Sequence, residues 1–216
     1  RKAMVDFTSP LAMDESRKDV AKSLLAAGSS VAGSSVPISK KVSWLLRHGA
    51  LSEGLPMTQN GFVPVSALLA HRNLGKDVSI PMLADLVVNN DKQRFALVYG
   101  LDGALYIRAN QGHSIDGVQV DMTQITSTNQ LSCAVHGTYY DAWQCIKTGG
   151  LNRMSRQHIH FAKGLPGQSG VISGMRRTCE VLVYLNVRLA LQDHLPLLLS
   201  ENGVVLGPGF DGVIPP

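Results

Sequence analysis

The order of the apolar patterns in the first half of the chain limits the fold more than any other feature of its sequence. Three short helical patterns come first, and two strand-like runs joined by a turn follow them. Apolar residues recur at helical spacing in 39–47, 66–70 and 79–89, whereas 95–98 and 105–108 are strand-like. Helices followed by a hairpin are the order of a winged-helix module, which commonly binds nucleic acid and also serves in protein contacts.

The first predicted helix has a recognisable start and end. We expect Ser39 to cap its N-terminus, because a serine oxygen accepts backbone N–H groups that a first turn leaves unbonded. Val42 and Leu45 fall at helical spacing, and we expect Trp44 to widen this apolar face. Gly49 suits the end of the helix.

The second half of the chain predicts a different mixture of elements. After Gly112, the strand-like runs 134–136, 158–161 and 179–185 accompany a helix at 140–148. The whole chain is therefore predicted to be α+β. Our domain boundaries are a flexible N-terminal segment 1–36, a helix-and-hairpin lobe 37–112 and a second lobe 113–216.

Composition excludes some classes of protein. A hydrophobic content of 44% with 17% charged residues allows a sizeable core, and no apolar run approaches the ~18 residues of a membrane span. The net charge of +4 mildly favours a polyanionic partner. Cys133, Cys145 and Cys179 lack metal-ligand spacing, so we expect reduced thiols in an intracellular protein of the cytoplasm, the nucleus or both. Residues 26–35 are small and low in complexity, which indicates a flexible linker.

Two short sequences in the first lobe carry cations suited to phosphate. Arg47 and His48 are adjacent at a predicted helix end, where arginine offers a bidentate fork and histidine can donate or move a proton. The alternative is favourable termination of the helix dipole. Lys92 and Arg94 would share one face if the following strand began early, and the alternative there is a solvated loop.

The exit of the second hairpin strand offers hydrogen-bond donors of several kinds around Gly112. Such a loop can bind the edge of a ribose or a phosphate, and it can also be a simple turn. The candidate residues are Arg108, Asn110, Gln111 and His113.

Polar residues around glycines recur in the second lobe. His136, Gly137 and Thr138 end a strand, and a glycine there lets a ligand approach the backbone; an ordinary strand exit is the alternative. His158 and His160 should share one strand face, but no third ligand of suitable type lies nearby, so a metal site is not predicted. A glycine with cations recurs in 173–177.

Seven of these stretches, in order and at fitting separations, resemble the tRNA 2′-phosphotransferases, the last enzymes of eukaryotic tRNA splicing. None is specific alone, whereas the ordered set is. The resemblance runs from about Ile38 to the C-terminus and rests on 46–50, 61–64, 91–95, 108–114, 136–138, 150–160 and 173–176. The chain has no P-loop, and its one Gly-x-Gly-x-x-Gly, residues 207–212, is followed by two prolines and not by a helical pattern. NAD⁺ would therefore not bind through a dinucleotide-binding βαβ unit.

The resemblance implies an N-terminal winged-helix lobe that holds RNA and a C-terminal lobe of the ADP-ribosyltransferase type that holds NAD⁺. The RNA 2′-phosphate would attack the NAD⁺ ribose and expel nicotinamide. The ribose 2″-hydroxyl would then attack the phosphorus, which releases 2′-hydroxyl RNA and ADP-ribose 1″,2″-cyclic phosphate. The implied partner is 2′-phosphorylated spliced tRNA or another 2′-phosphorylated RNA; we expect no metal, no membrane and a monomer.

The resemblance also implies roles for individual residues. The catalytic set is Arg47, His48, Arg94 and Arg156, and Arg153 is the alternative for the fourth. The NAD⁺ residues are His136, Gly137, Thr138, Ser155, His158, Ser173, Gly174 and Arg176. The RNA contacts are Lys92, Arg108, Asn110, Gln111 and His113.

Two other functions stay open from the sequence. One is an ADP-ribosyltransferase that stops after the first step and whose acceptor is a terminal phosphate of RNA or DNA, or a protein. The other is a non-catalytic RNA-binding protein, against which the intact catalytic set argues.

Overall fold

The computed structural model divides into two compact units, Arg1–Val120 and Asp121–Pro216. Both units combine helices with strands, as the α+β prediction requires. Within the described residues, no helix is long and apolar enough to cross a membrane. The structure describes residues 7–17, 19–27, 35–74, 78–165, 167–168, 171, 175–176 and 178–216.

The first unit is built from short helices and a three-stranded antiparallel sheet. The elements are α1 Val20–Ala27, α2 Ser35–Trp44, β1 Val63–Pro64, α3 Val65–Ala70, α4 Ile80–Val88, β2 Phe95–Tyr99 and β3 Leu105–Ala109. The strand order is β1-β3-β2: β2 and β3 form a hairpin in which Leu97 faces Ile107, and β1 pairs with β3. The predicted helices and hairpin correspond to α2, α3, α4, β2 and β3.

Part of the N-terminal segment is folded, although the sequence predicts residues 1–36 to be flexible. Helix α1 packs against α4 and β2, and Val20 is buried there. Leu11 is buried in a small cluster with Phe62 and Tyr106. The prediction followed the small, low-complexity residues 26–35, whereas apolar residues earlier in the segment gain burial by packing on the rest of the unit. Most of the predicted linker, 28–34, lies outside the described residues.

Helix α2 begins earlier than the sequence predicts. It starts at Ser35, so Ser39 lies inside the helix instead of capping it. Pro37 falls in its first turns, where a missing N–H costs little because the first N–H groups of a helix have no partner within it.

The end of α2 changes to a π-helical turn, Leu45–Gly49. Leu45 and Leu46 are fully buried, whereas Trp44 is 46% exposed and does not widen the apolar face as predicted. The indole ring lies instead over Gly49, where an added Cβ would stand 2.5 Å from Trp44 Cζ3. The π-helical turn therefore brings a residue without a side chain beneath the ring.

The second unit combines two helices with eight strands in its described residues. Its elements are β4 Thr123–Ile125, β5 Val135–Thr138, α5 Tyr140–Gly149, β6 Leu151–Asn152, β7 Ile159–Phe161, β8 Val181–Tyr184, α6 Val187–Gln192, β9 Leu197–Leu199, β10 Val205–Gly207 and β11 Val213–Ile214. Four strands form an antiparallel sheet in the order β4-β9-β10-β7, and two further pairs are β5 with β8 and β6 with β11. A bridge between Val135 and Ala162 joins β5 to the residue after β7. Phe161, Leu197 and Val205 of the four-stranded sheet are fully buried.

Gly49→Ala should lower the thermal stability of the protein, because the new methyl group would collide with the Trp44 ring. Overpacking of this kind costs about 1–3 kcal/mol. Gly149→Ala is the matched control, since nothing lies within 4 Å of a Cβ at that helical position. Differential scanning calorimetry of both variants measures the effect. Equal melting temperatures for Gly49→Ala and the parent would contradict the close packing of Trp44 on Gly49.

Candidate functional site

The first unit contains a cleft of about 550 Å³ between α2 with its π-helical turn and α4 with the loop that follows it. Three of the four residues of the predicted catalytic set, Arg47, His48 and Arg94, line this one cleft. Its lining residues are Ser39, Lys40, Ser43, Trp44, Arg47, His48, Asp85, Leu86, Asn89, Asn90, Asp91 and Arg94.

Ser114 fixes the π-helical turn that carries Arg47 and His48. Its backbone N–H donates to the Arg47 carbonyl at 2.9 Å, and its hydroxyl lies 2.8 Å from His48 Nδ1. Gly112 lies beside the Arg47 side chain in this loop, and its φ of +90° is a left-handed conformation that favours glycine. The loop after β3 therefore positions both cations.

Arg94 is held at the opposite wall of the cleft by the turn that precedes β2. Arg94 Nη1 donates to Asn90 Oδ1 at 2.9 Å and lies 3.5 Å from Asp91 Oδ1. The same Asn90 oxygen accepts from the backbone N–H groups of Lys92 and Arg94. These bonds form a turn instead of an early strand, so Lys92 does not share a strand face with Arg94 as the sequence predicted. Lys92 is half-buried and does not line the cleft.

Four residues predicted to contact RNA are buried. Arg108 lies over the Phe62 ring, with Cζ 4.7 Å from the ring centroid. Asn110 joins the loop to the Arg94 turn, since its backbone N–H donates to the Arg94 carbonyl at 2.8 Å. Because side chains 2–6% exposed offer little surface to a polymer, we assign these residues a supporting position. They are Arg108, Asn110, Gln111 and His113.

The second unit brings His136 and His160 together at the meeting of β5 and β7. His136 Nδ1 lies 2.9 Å from the His160 carbonyl, and its ring stands edge-on to Phe161 at 6.1 Å between centroids. Gly137 is required by protein packing, because a Cβ there would stand 2.8 Å from Cys179 Sγ. That contact accounts for the glycine. Thr138 is buried.

Arg153 and Arg156 occupy different positions in one exposed turn. Arg153 Nη1 donates to the Arg156 carbonyl at 2.7 Å, and the Arg153 backbone N–H donates to the Gly212 carbonyl. Arg153 therefore stabilises the turn. Desolvation of its guanidinium, and then the charge of Arg176, lower the pKa of Arg156, so a second cation of the same unit acts on it electrostatically, as in an anion site.

The remaining predicted NAD⁺ residues have different outcomes. Ser155 lies in the exposed turn with Arg156. Burial, followed by the charge of Arg153, lowers the pKa of His158, which favours its neutral form. Arg176 is exposed, with its Cζ 6.0 Å from the Tyr139 ring centroid. Ser173 and Gly174 lie outside the described residues.

Ligands for a metal are not grouped in the described part of the chain. No cluster of three or more histidine, cysteine or acidic residues occurs there. All three cysteines, Cys133, Cys145 and Cys179, are free thiols.

Among the cleft residues that the sequence reasoning did not assign to a site are Trp44 and Asn90. Trp44 could have been found from spacing, since Lys40, Trp44 and Arg47 lie four and three residues apart and so share a helix face. Asn90 carries no such signal, because its part depends on the turn that it forms.

Cations that converge in a cleft define this chain as an anion-handling protein. The family model described as "RNA 2'-phosphotransferase, Tpt1 / KptA family" matches residues 33–209. The chain therefore belongs to the Tpt1 / KptA family of RNA 2′-phosphotransferases, and it is an enzyme of the transferase class.

Named relatives cover most of the chain. A tRNA 2′-phosphotransferase 1 of Danio rerio is 46% identical over 81% of this chain and 78% of its own length. A human protein of the same name is 44% identical over 84% and 72%. A tRNA 2′-phosphotransferase of Saccharomyces cerevisiae is 37% identical over 79% and 77%.

Replacing His158 by Asn should reduce the loss of stability that the protein shows in acid. A histidine whose folded pKa is lowered stabilises the fold above its ordinary value of 6.5, and this stability is lost as the pH falls through the folded pKa. Melting temperatures between about pH 8 and about pH 5 measure the slope. His194→Asn, at an exposed position of the same unit, is the control. An unchanged slope for His158→Asn would exclude this contribution.

Proposed function

We propose that the protein transfers the internal 2′-phosphate of spliced tRNA to NAD⁺ and acts as a monomer. The products are 2′-hydroxyl RNA, nicotinamide and ADP-ribose 1″,2″-cyclic phosphate. The observation that carries the proposal is the shared cleft of Arg47, His48 and Arg94, and family membership supports it.

We further propose a winged-helix RNA lobe, 37–112, followed by an ADP-ribosyltransferase-type NAD⁺ lobe, 113–216. The succession α2, β1, α3, α4, β2, β3 supports the first, because it is helix, strand, two helices and a hairpin. The electrostatic influence of Arg176 on Arg156 supports an anionic ligand such as the NAD⁺ pyrophosphate or a phosphoryl group in the second.

The first step needs positioning more than it needs a base. An oxygen of the 2′-phosphate is already an anion, and it forms a bond to C1″ of the NAD⁺ ribose while the bond to nicotinamide breaks. Arg47 and Arg94 can hold the phosphate from two walls of the cleft, and bidentate guanidinium contacts orient its oxygens. Because the attacking oxygen is already an anion, this step needs no proton transfer.

The second step moves charge onto the phosphoryl oxygens. The ribose 2″-hydroxyl forms a bond to phosphorus, the bond from phosphorus to the RNA 2′-oxygen breaks, and the hydroxyl proton ends on that oxygen. His48 can carry this proton, since imidazole exchanges protons near neutral pH. We assign Arg156 to charge stabilisation here, because Arg153 is engaged in holding the turn.

An RNA with one internal 2′-phosphate, incubated with and without NAD⁺, tests the proposal. The phosphate should leave the RNA only with NAD⁺, with one nicotinamide formed for each phosphate, and excess chelator should leave the rate unchanged. Loss of activity in chelator that Mg²⁺ or Zn²⁺ restores would contradict a metal-free reaction. ADP-ribosylated RNA as the final product would identify a transferase that stops after the first step.

Arg94→Ala should slow turnover by ~10²–10³, the usual loss for one preorganised donor at developing charge. Arg94→Lys should recover only part of it, because an ammonium group cannot form the bidentate fork. Since the second step depends more on phosphate-clamping cations, some substitutions among Arg47, His48, Arg94 and Arg156 should accumulate ADP-ribosylated RNA, seen as a slower-migrating band. Arg72→Ala, an exposed arginine outside the cleft, is the matched control. Near-parental turnover in all four alanine variants would refute the site.

A further inference from the structure

The indole of Trp44 is a large apolar surface that the fold leaves in water beside the phosphate-binding cations. Trp44 is the last residue of α2, is 46% exposed and lines the cleft with Arg47, His48 and Arg94. Its helical neighbours Leu45 and Leu46 are fully buried. Hydrophobic packing within the unit therefore accounts for the leucines, whereas it covers only part of the tryptophan.

The ring is also held in place. Atoms Cζ3, Cη2 and Cε3 of Trp44 lie 2.5–2.9 Å from the position of a Cβ on Gly49, so the ring packs directly on the π-helical turn. Because Gly49 is buried and the turn is anchored by its leucines, little rotational freedom remains to be lost when a ligand covers the ring. A preorganised aromatic platform is the result.

Cations flank this platform along the same helix face. Lys40 lies one turn before Trp44, and Arg47 lies one turn after it, and all three line the cleft. Proteins that bind single-stranded nucleic acid combine a basic track for the phosphates with aromatic rings on which bases stack. The spacing of this face matches that arrangement.

The facing wall, from α4 and its following loop, is polar. Asp85, Asn89 and Asn90 line it, and Asn89 Nδ2 donates to Asp85 Oδ1 at 2.7 Å. Amide and carboxylate groups suit the hydrogen-bonding edge of a flat heterocycle. An apolar peptide side chain would leave this wall desolvated without partners.

We propose that Trp44 stacks on a base of the RNA at or next to the nucleotide that carries the 2′-phosphate. This inference rests on the proposed function, and it adds a base-stacking residue that sets where the phosphate lies relative to Arg47, His48 and Arg94. Stacking tolerates every base, so the contact selects for a nucleic-acid chain and not for a sequence.

Kinetics with altered RNA and altered protein test the stacking directly. Three RNAs each carry one abasic nucleotide, at the phosphorylated position or at either neighbour. The RNA that lacks the base stacked on Trp44 should raise KM of the parent by about tenfold, since one stacked base contributes ~1–3 kcal/mol. Trp44→Ala should raise KM of intact RNA similarly, with kcat within a few-fold, and should show no further loss on that abasic RNA. Trp44→Phe should recover most of the affinity. Phe210→Ala, which removes a 45% exposed aromatic ring of the second unit, is the matched control.

A binding measurement without turnover separates this inference from the proposed function. The chain has two tryptophans, so Trp143→Phe leaves Trp44 as the only one. In the absence of NAD⁺, 2′-phosphorylated RNA should quench its fluorescence, and RNA abasic at the sensitive position should quench it less. Absence of turnover by the parent with NAD⁺ would reject the proposed function while this quenching still supports stacking. Equal KM for all abasic RNAs, or quenching by NAD⁺ and not by RNA, would overturn the stacking.

Discussion

The anchoring of the π-helical turn by Ser114 is the interaction on which the geometry of the cleft depends. One residue from the loop after β3 bonds the Arg47 carbonyl through its backbone and His48 Nδ1 through its hydroxyl. Adjacent residues of a regular helix point about 100° apart, so a regular end to α2 would separate these side chains. A wider turn, held from outside by a loop, keeps both at the cleft.

Bringing cations together costs free energy, and the two units differ in how they compensate the positive charge. In the first unit, Arg94 is bonded to Asn90 and lies near Asp91, so an amide and an exposed carboxylate compensate its charge. In the second unit, desolvation and then the charge of Arg176 lower the pKa of Arg156. A phosphate or pyrophosphate relieves such repulsion when it binds, so these two cations favour an anionic ligand.

Sequence patterns predicted the elements whose residues interact locally. They failed where contacts with residues distant in sequence determine whether a side chain is buried. The periodicity of α4 and the alternation of β2 and β3 are local, and their predicted ranges agree with the structure. The cleft partners Arg47, His48 and Arg94 were also predicted together, from motifs. The burial of α1 and the exposure of Trp44 depend on what packs against them, and no local pattern contains that information.

The glycines of the motifs illustrate why motif residues need a structure to be interpreted. A glycine beside candidate site residues suggests room for a ligand, yet the space at two of them is taken by the protein's own side chains. Trp44 lies over Gly49, and the Cys179 side chain lies over Gly137. In both cases the missing Cβ lets the backbone approach a neighbouring side chain closely. Gly112 differs, because its φ of +90°, and not a close contact, favours glycine there. Close packing restricts where a side chain can lie, and precise placement of side chains is what phosphoryl chemistry requires when positioning and preorganised charge are the main sources of rate.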